Sequence, residues 1–272
     1  MHALRRLVPL LLAFVWSCTD ASAQSQPAPN AAPPAKSAIK KAVGANARPA
    51  TAAIGASGPC DTGLIAAVGD VFTVQNNGIT QLGGDYAEVP VSWGFDDLIY
   101  ARARAAGGDN VRRIAVPKGA FDPLYQSTSI SDENHKLPVI VRRVAGSAGC
   151  GRYLVVTRRS GKEPSTYDIV SGIGVVSRVA GLVKYTHVFV MLDIQLFDGA
   201  TFEKRDPPAS SKSFLTGLTS GMGPPSHAGD VDNSAFPATP ADAANNTVLR
   251  DMARSMLKFR LDQALPAYFG RE

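Results

Sequence analysis

The sequence is poor in the residues from which reactive sites are built. In 272 residues it carries four histidines, three cysteines and two tryptophans, and the local signatures of well-known centres are missing. No HExxH pair, G-x-S-x-G elbow or EF-hand calcium loop occurs. No internal repeat of roughly 20 to 50 residues is present, which excludes solenoid and propeller architectures. Charge of one sign is also lacking where it would matter. The net +5 is carried by the first sixty residues, leaving 22 basic and 22 acidic residues from Asp61 to Glu272. The basic pI therefore carries no argument for nucleic acid, which requires a clustered positive surface, and no nucleic-acid partner is expected.

Membrane-length apolar runs are missing too. Leu7 to Trp16 reaches about half of the roughly 20 residues that a membrane span needs. Preceded by Arg5 and Arg6 and followed by Ala21-Ser22-Ala23, it reads as the apolar region of a secretory signal over residues 1–23. No transmembrane span is expected once that signal is removed. Val15-Trp16-Ser17-Cys18 partly resembles a lipobox, so a lipid anchor through Cys18 is the alternative to a free periplasmic or secreted protein. Residues 24–58 hold no acid and no aromatic ring. Such a stretch buries too little apolar surface to offset chain entropy and is expected to be a disordered Ala/Pro-rich linker. Either processing route leaves Cys60 and Cys150, a candidate disulfide in an oxidising compartment.

What the chain does have is strand pattern. From Tyr185 to Glu203, Val188, Val190, Leu192, Ile194 and Leu196 fall on one face, and His187, Phe189, Met191, Asp193, Gln195 and Phe197 on the other. Asp198-Gly199 predicts a tight hairpin with a return strand at Thr201 to Lys204. Leu64 to Val74 predicts a first strand, in which Gly69 marks a bulge or a close backbone approach. Asn76-Asn77-Gly78 then turns into a partner at Ile79 to Leu82, and Ala87 to Ser92, an extended piece interrupted by Pro90, belongs at an edge or in a loop. Val111 to Val116, Arg152 to Thr157 and Asp168 to Val176 supply further strands.

Helical spacing predicts Phe95 to Ala106, with Asp96 and Asp97 in the first turn where the helix dipole favours acids. Leu137 to Ala145 fits strand or helix, and helix is preferred, with Pro138 in the first turn; a last helix is predicted from about Ala243 to Leu265, with Asn246 or Thr247 as its N-cap if it starts late and Pro266 ending it. The expectation is an α/β (α+β) fold, a single mixed β-sheet of about five to seven strands packed by about three helices. It forms one domain over residues 59–272, with a long Pro/Gly-rich loop at 206–243.

Chemistry is thin on this frame. His227-Ala-Gly-Asp230-Val-Asp232 brings an imidazole and two carboxylates close in sequence, so His227, Asp230 and Asp232 are the candidate metal ligands. No catalytic and no cofactor-binding residue is assigned. His187 reads as a packed residue of its strand. Gly172-Ile-Gly174 falls short of a dinucleotide fingerprint and reads as a place of close packing.

Tyr153-Leu-Val-Val-Thr157 after a helix, and Leu192-Asp-Ile-Gln-Leu-Phe-Asp198-Gly199 before a terminal helix, resemble the periplasmic α/β domains of the CsgG and TolB N-terminal type, in outline from Leu64 to Phe269. The Asp198-Gly199 turn is shorter than in that pattern, and the Pro-rich stretch after it has no counterpart there. From Gly69-Asp70-Val-Phe-Thr-Val the chain is also similar to exported proteins of Gram-negative bacteria, a likeness that carries no activity with it. With no convergent nucleophile, base or metal set, and with a sheet domain on a tether, the sequence predicts a non-enzymatic exported protein. It would act through protein contacts in the cell envelope, with self-association as one form. A secreted hydrolase, or a small-ligand or metal binder using residues 206–242, is the alternative.

Overall fold

The computed structural model describes residues 60–77, 85–126, 130–164, 166–180, 183–207 and 227–270. The predicted signal, the linker, Cys18 and the expected hairpin partner at 79–82 lie outside the described residues.

The first layer is built on β1 (Cys60–Ala66), which is buried along nearly its whole length and pairs in parallel with two neighbours. A strand buried on both faces needs helices on both sides, and the chain order supplies them. From β1 the chain passes through α1 (Phe95–Gly107) to β4 (Val111–Arg113) on one side of β1. It then passes through α2 (Asp122–Tyr125) and α3 (Ile130–Ala145) to β5 (Cys150–Arg158) on the other side. Right-handed crossovers in opposite directions put their helices on opposite faces. Accordingly Phe95, Ile99 and Ala103 of α1 pack with Leu64, Leu154 and Val156, while Leu137, Ile140 and Val141 of α3 pack with Ile65, Tyr153 and Val155. Cys60 and Cys150 begin paired strands, with Cα atoms 4.5 Å apart, and are joined as a disulfide. In the chain-entropy model, closing a loop of that length contributes about 4 to 5 kcal/mol.

The expected single sheet is in fact two five-stranded sheets and a two-stranded hairpin, holding twelve strands among the described residues. The long strand pattern divides at Met191 into β9 (Val183–Val190) and β10 (Leu192–Asp198), and the first strand divides at residues 67–70 into β1 and β2 (Val71–Asn77). β10 lies between β5 and β11 (Lys204–Arg205) in the first sheet, whereas β9 and β2 join the second. The second sheet runs β12 (Asp230–Val231), β9, β8 (Ile173–Ala180), β2 and β3 (Asp85–Pro90), so the Pro90-containing piece is indeed an edge strand. Alternation could not reveal the division, because the apolar side stays the same through it. Val188 and Val190 in one sheet and Leu196 in the other face the same core, together with Leu249, Leu257 and Leu261 of α4 (Thr247–Tyr268).

Three local expectations are corrected. Asp198 does not head a two-residue turn: its carboxylate accepts the N–H groups of Ala200 and Thr201 at 2.8 and 3.0 Å, and Phe202 stacks on Tyr153, so pairing resumes only at Lys204. α3 starts at Ile130, which leaves Pro138 in its interior. α4 runs past Pro266, because Tyr268 is buried and donates to the Ile194 carbonyl at 2.7 Å, fixing the last turn by tertiary contact. α4 takes the later of the two expected starts: Asn246 caps it, its side chain accepting from Leu249 N–H at 3.1 Å, and Pro240–Asn245 before it form a 3-10 turn instead of the helix expected from Ala243.

Candidate functional site

Alternation along β9 turns His187 and Phe189 away from the helices, onto the outer face of the second sheet. There they lie beside Val176 and Arg178 of β8. This face is covered by a small hairpin made of β6 (Ser160–Lys162) and β7 (Ile169–Ser171). Val170 of β7 packs on Val176 and Phe189. Because β7 joins neither large sheet, side chains of β2 satisfy its carbonyls. Thr73 Oγ1 donates to Ser171 O at 3.1 Å and Gln75 Nε2 to Ile169 O at 3.1 Å.

The hairpin tip buries charge. Glu163 and Asp168 are each 3% exposed and His187 is 2% exposed. Asp168 Oδ1 accepts from Asn77 Nδ2 at 2.9 Å and from Arg178 Nη1 at 3.3 Å, and Arg178 also donates to Thr166 O. Glu163 Oε2 accepts the Thr166 N–H at 2.7 Å. Its Oε1 lies 3.7 Å from His187 Nε2. On the far side of the ring, His187 Nδ1 is 2.8 Å from Asp230 Oδ1, and the second oxygen of Asp230 is 2.7 Å from His227 Nδ1. β12 makes this approach possible through Gly229, where a Cβ would fall 2.1 Å from Val188 O and 2.7 Å from the His187 ring.

Burial pulls the His187 pKa down, but the flanking Glu163 and Asp230 carboxylates outweigh it, and the net shift is upward from 6.5. For Asp230, burial pulls up while the two imidazoles pull down, and the net shift is downward. The two directions agree and favour an imidazolium–carboxylate pair.

The predicted ligand set is thereby split. His227 and Asp230 are brought together with His187, but Asp232 turns away and accepts the Ser234 N–H at 2.8 Å as the cap of a 3-10 turn. Both Asp230 oxygens are held by imidazoles, and among the described residues no group of three His, Cys, Asp or Glu side chains is placed to hold a metal ion. Ser177, whose buried Oγ has no hydrogen-bond partner among the described residues, lies on the opposite face of β8 from Arg178. The arrangement can hold a charged imidazole rigidly and couple it to the hairpin.

Sequence reasoning missed Glu163, Asp168 and Arg178, which come from a stretch with no motif. Asp96 stands in the first turn of α1 as expected, and its carboxylate has a further role there, accepting the N–H groups of Val68 and Gly69 at 3.1 and 3.2 Å, while Asp70 accepts Phe95 N–H at 2.9 Å. The β1–β2 crossing and the start of α1 thus cap each other. Burial lifts the Asp96 pKa to about 6 despite the two N–H donors.

No protein-family model, curated protein or solved structure matches this chain.

Proposed function

We propose that the chain is an exported, non-enzymatic α/β protein that works through protein contacts in the cell envelope, presenting the β6–β7 hairpin to its partner. The observation that carries this reading is the exposure of large apolar side chains on and beside that hairpin. Ile169 is 74%, Tyr167 65% and Tyr86 53% exposed, and Tyr86 and Ile169 border one shallow depression. Grouped exposed apolar side chains are the usual mark of an interaction surface. Tyr167 stands at φ 61°, a conformation uncommon for residues other than glycine. The buried cluster beneath fixes the hairpin, so that a partner meets a preformed surface.

The disulfide supports an oxidising compartment. No helix among the described residues is long and apolar enough to cross a membrane. The order of β1, α1, β4, α3, β5 and a closing α4 is compatible with the CsgG and TolB N-terminal resemblance, which remains part of this proposal.

The test places a photo-crosslinking residue at position 167 of the mature protein in intact envelopes. The expected result is a discrete adduct, a second copy of this chain included, that disappears when Tyr86 and Ile169 are replaced by serine in a variant with an unchanged melting temperature. An adduct pattern indifferent to those substitutions would overturn the reading. So would turnover on a hydrolase panel that vanishes with His187→Gln.

A further inference from the structure

The other side of the same hairpin borders a cleft of about 220 Å³, enclosed by the β9–β10 crossing, α4 and the strand leading into β6. Its charge is one-sided. Arg159, Lys162 and Arg260 line it against the single carboxylate of Asp193, and that carboxylate is held by the Gln195 amide. Leu192 and Leu261 contribute to an apolar wall.

Arg260 is the unusual member. Its Nε is buried and has no hydrogen-bond partner among the described residues. Burial works against its charge, opposed only by the field of Glu163. Glu163 is already engaged by the Thr166 N–H and lies beside His187. A guanidinium that has given up water on one edge without gaining a protein acceptor is primed for an anion, because its planar donors match a carboxylate or phosphate in two parallel charge-assisted bonds. The neighbouring apolar wall asks for something besides an inorganic ion. The volume is below the roughly 300 Å³ at which drug-sized ligand sites begin.

We propose that this cleft binds a small amphiphilic anion, a single carboxylate or phosphate on a short apolar stem. The headgroup pairs with Arg260, Arg159 and Lys162 flank it from the hairpin, and the stem lies against Leu192 and Leu261. The anion can come from a free acid in solution or from the headgroup of a lipid, and the experiment separates the two.

Calorimetric titration of the mature protein with octanoate and with octyl phosphate is expected to give binding about tenfold tighter than octanol or inorganic phosphate. Arg260→Gln should weaken it about tenfold with the melting temperature retained. The double variant Arg159→Gln, Lys162→Gln should weaken it less and reduce its salt dependence. Saturable binding of octanoate assigns the free acid as source. Co-sedimentation with phosphatidylglycerol vesicles that is lost in Arg260→Gln, without octanoate binding, assigns the lipid headgroup. The proposal is overturned if octanol binds as well as octanoate, if folded Arg260→Gln binds like the wild type, or if neither amphiphile nor vesicle binds. Should Arg260→Gln fail to fold, Arg260→Lys replaces it, and wild-type affinity in that variant would overturn the two-bond contact.

Discussion

On the β8–β9 ladder, Val175, Val188 and Val190 face the helices at 0 to 5% exposure; one residue along, Val176, His187 and Phe189 face the β6–β7 hairpin at 0 to 2%. The burial is equal but the means differ. The inner side is held by aliphatic contact with α1 and α4, which is non-directional and scales with area removed from water. The outer side combines a small apolar contact, Val170 on Val176 and Phe189, with a chain of polar partners running from Asp168 through Arg178, and from Glu163 through His187 to Asp230. Each of those groups is stable there only while its neighbour is present and correctly charged. One face therefore supplies stability with little dependence on solution conditions. The other includes titratable groups, so its contribution to stability is expected to vary with pH.

The largest effect that tests this contrast is on the inner side. Leu257 is fully buried in the core shared by both sheets, and Leu257→Ala should cost about 3 kcal/mol through lost transfer energy and the cavity left behind. Urea denaturation at pH 6 and pH 9 should give the same loss. A strong pH dependence would mean that the two faces are not independent.

On the outer side the expectation is smaller and conditional. Asp230→Asn removes one of the two carboxylates flanking His187, and because Asp230 is 43% exposed the loss at pH 6 should be about 1 to 2 kcal/mol. The sign of its pH dependence follows from the upward shift of His187. A group whose pKa is raised on folding contributes stability that is fully present below its unfolded value, near 6.5, and lost as pH rises through the folded value. The Asp230→Asn penalty should therefore shrink at pH 9. Asp96, lifted to about 6 by burial, also makes the wild type lose stability as pH rises from about 3.8 through 6. That contribution is common to both proteins and cancels in the difference. A penalty equal at both pH values would show that His187 is uncharged in the folded protein.

The contrast also explains which parts of the molecule were legible in the sequence. The inner face was readable because periodicity reports side-chain direction. The five aliphatic residues from Val188 to Leu196 share one face by alternation alone, and they pack in one core with the apolar residues of α4 from Leu249 to Leu265. Periodicity carries no information about hydrogen-bond partners, so the passage of the same strand from one sheet to another at Met191 was invisible. The outer face was largely illegible for a related reason. Glu163, Asp168 and Arg178 acquire their roles only when a three-residue strand folds over a sheet, and nothing local marks them. The exception is the His227 to Asp230 pair, legible because three residues bring its members into contact at 2.7 Å.

Asp232 was the false neighbour in that reading, and it gives the most selective test with the smallest effect. Two residues beyond Asp230, it suits a ligand set by spacing alone, yet its carboxylate is occupied with Ser234, whose hydroxyl first and N–H second hold its pKa below the ordinary value. Its contribution is local, to a short exposed turn, so Asp232→Ala should destabilise less than either substitution above. The informative measurement is the proton titration of the His187 ring by NMR. Asp232→Ala should leave that titration where it is in the wild type, while Asp230→Asn should move it downward by removing the Nδ1 partner. If Asp232→Ala also moved it, all three loop residues would act as one unit and the division drawn here between a buried charged cluster and its supporting turn would fail.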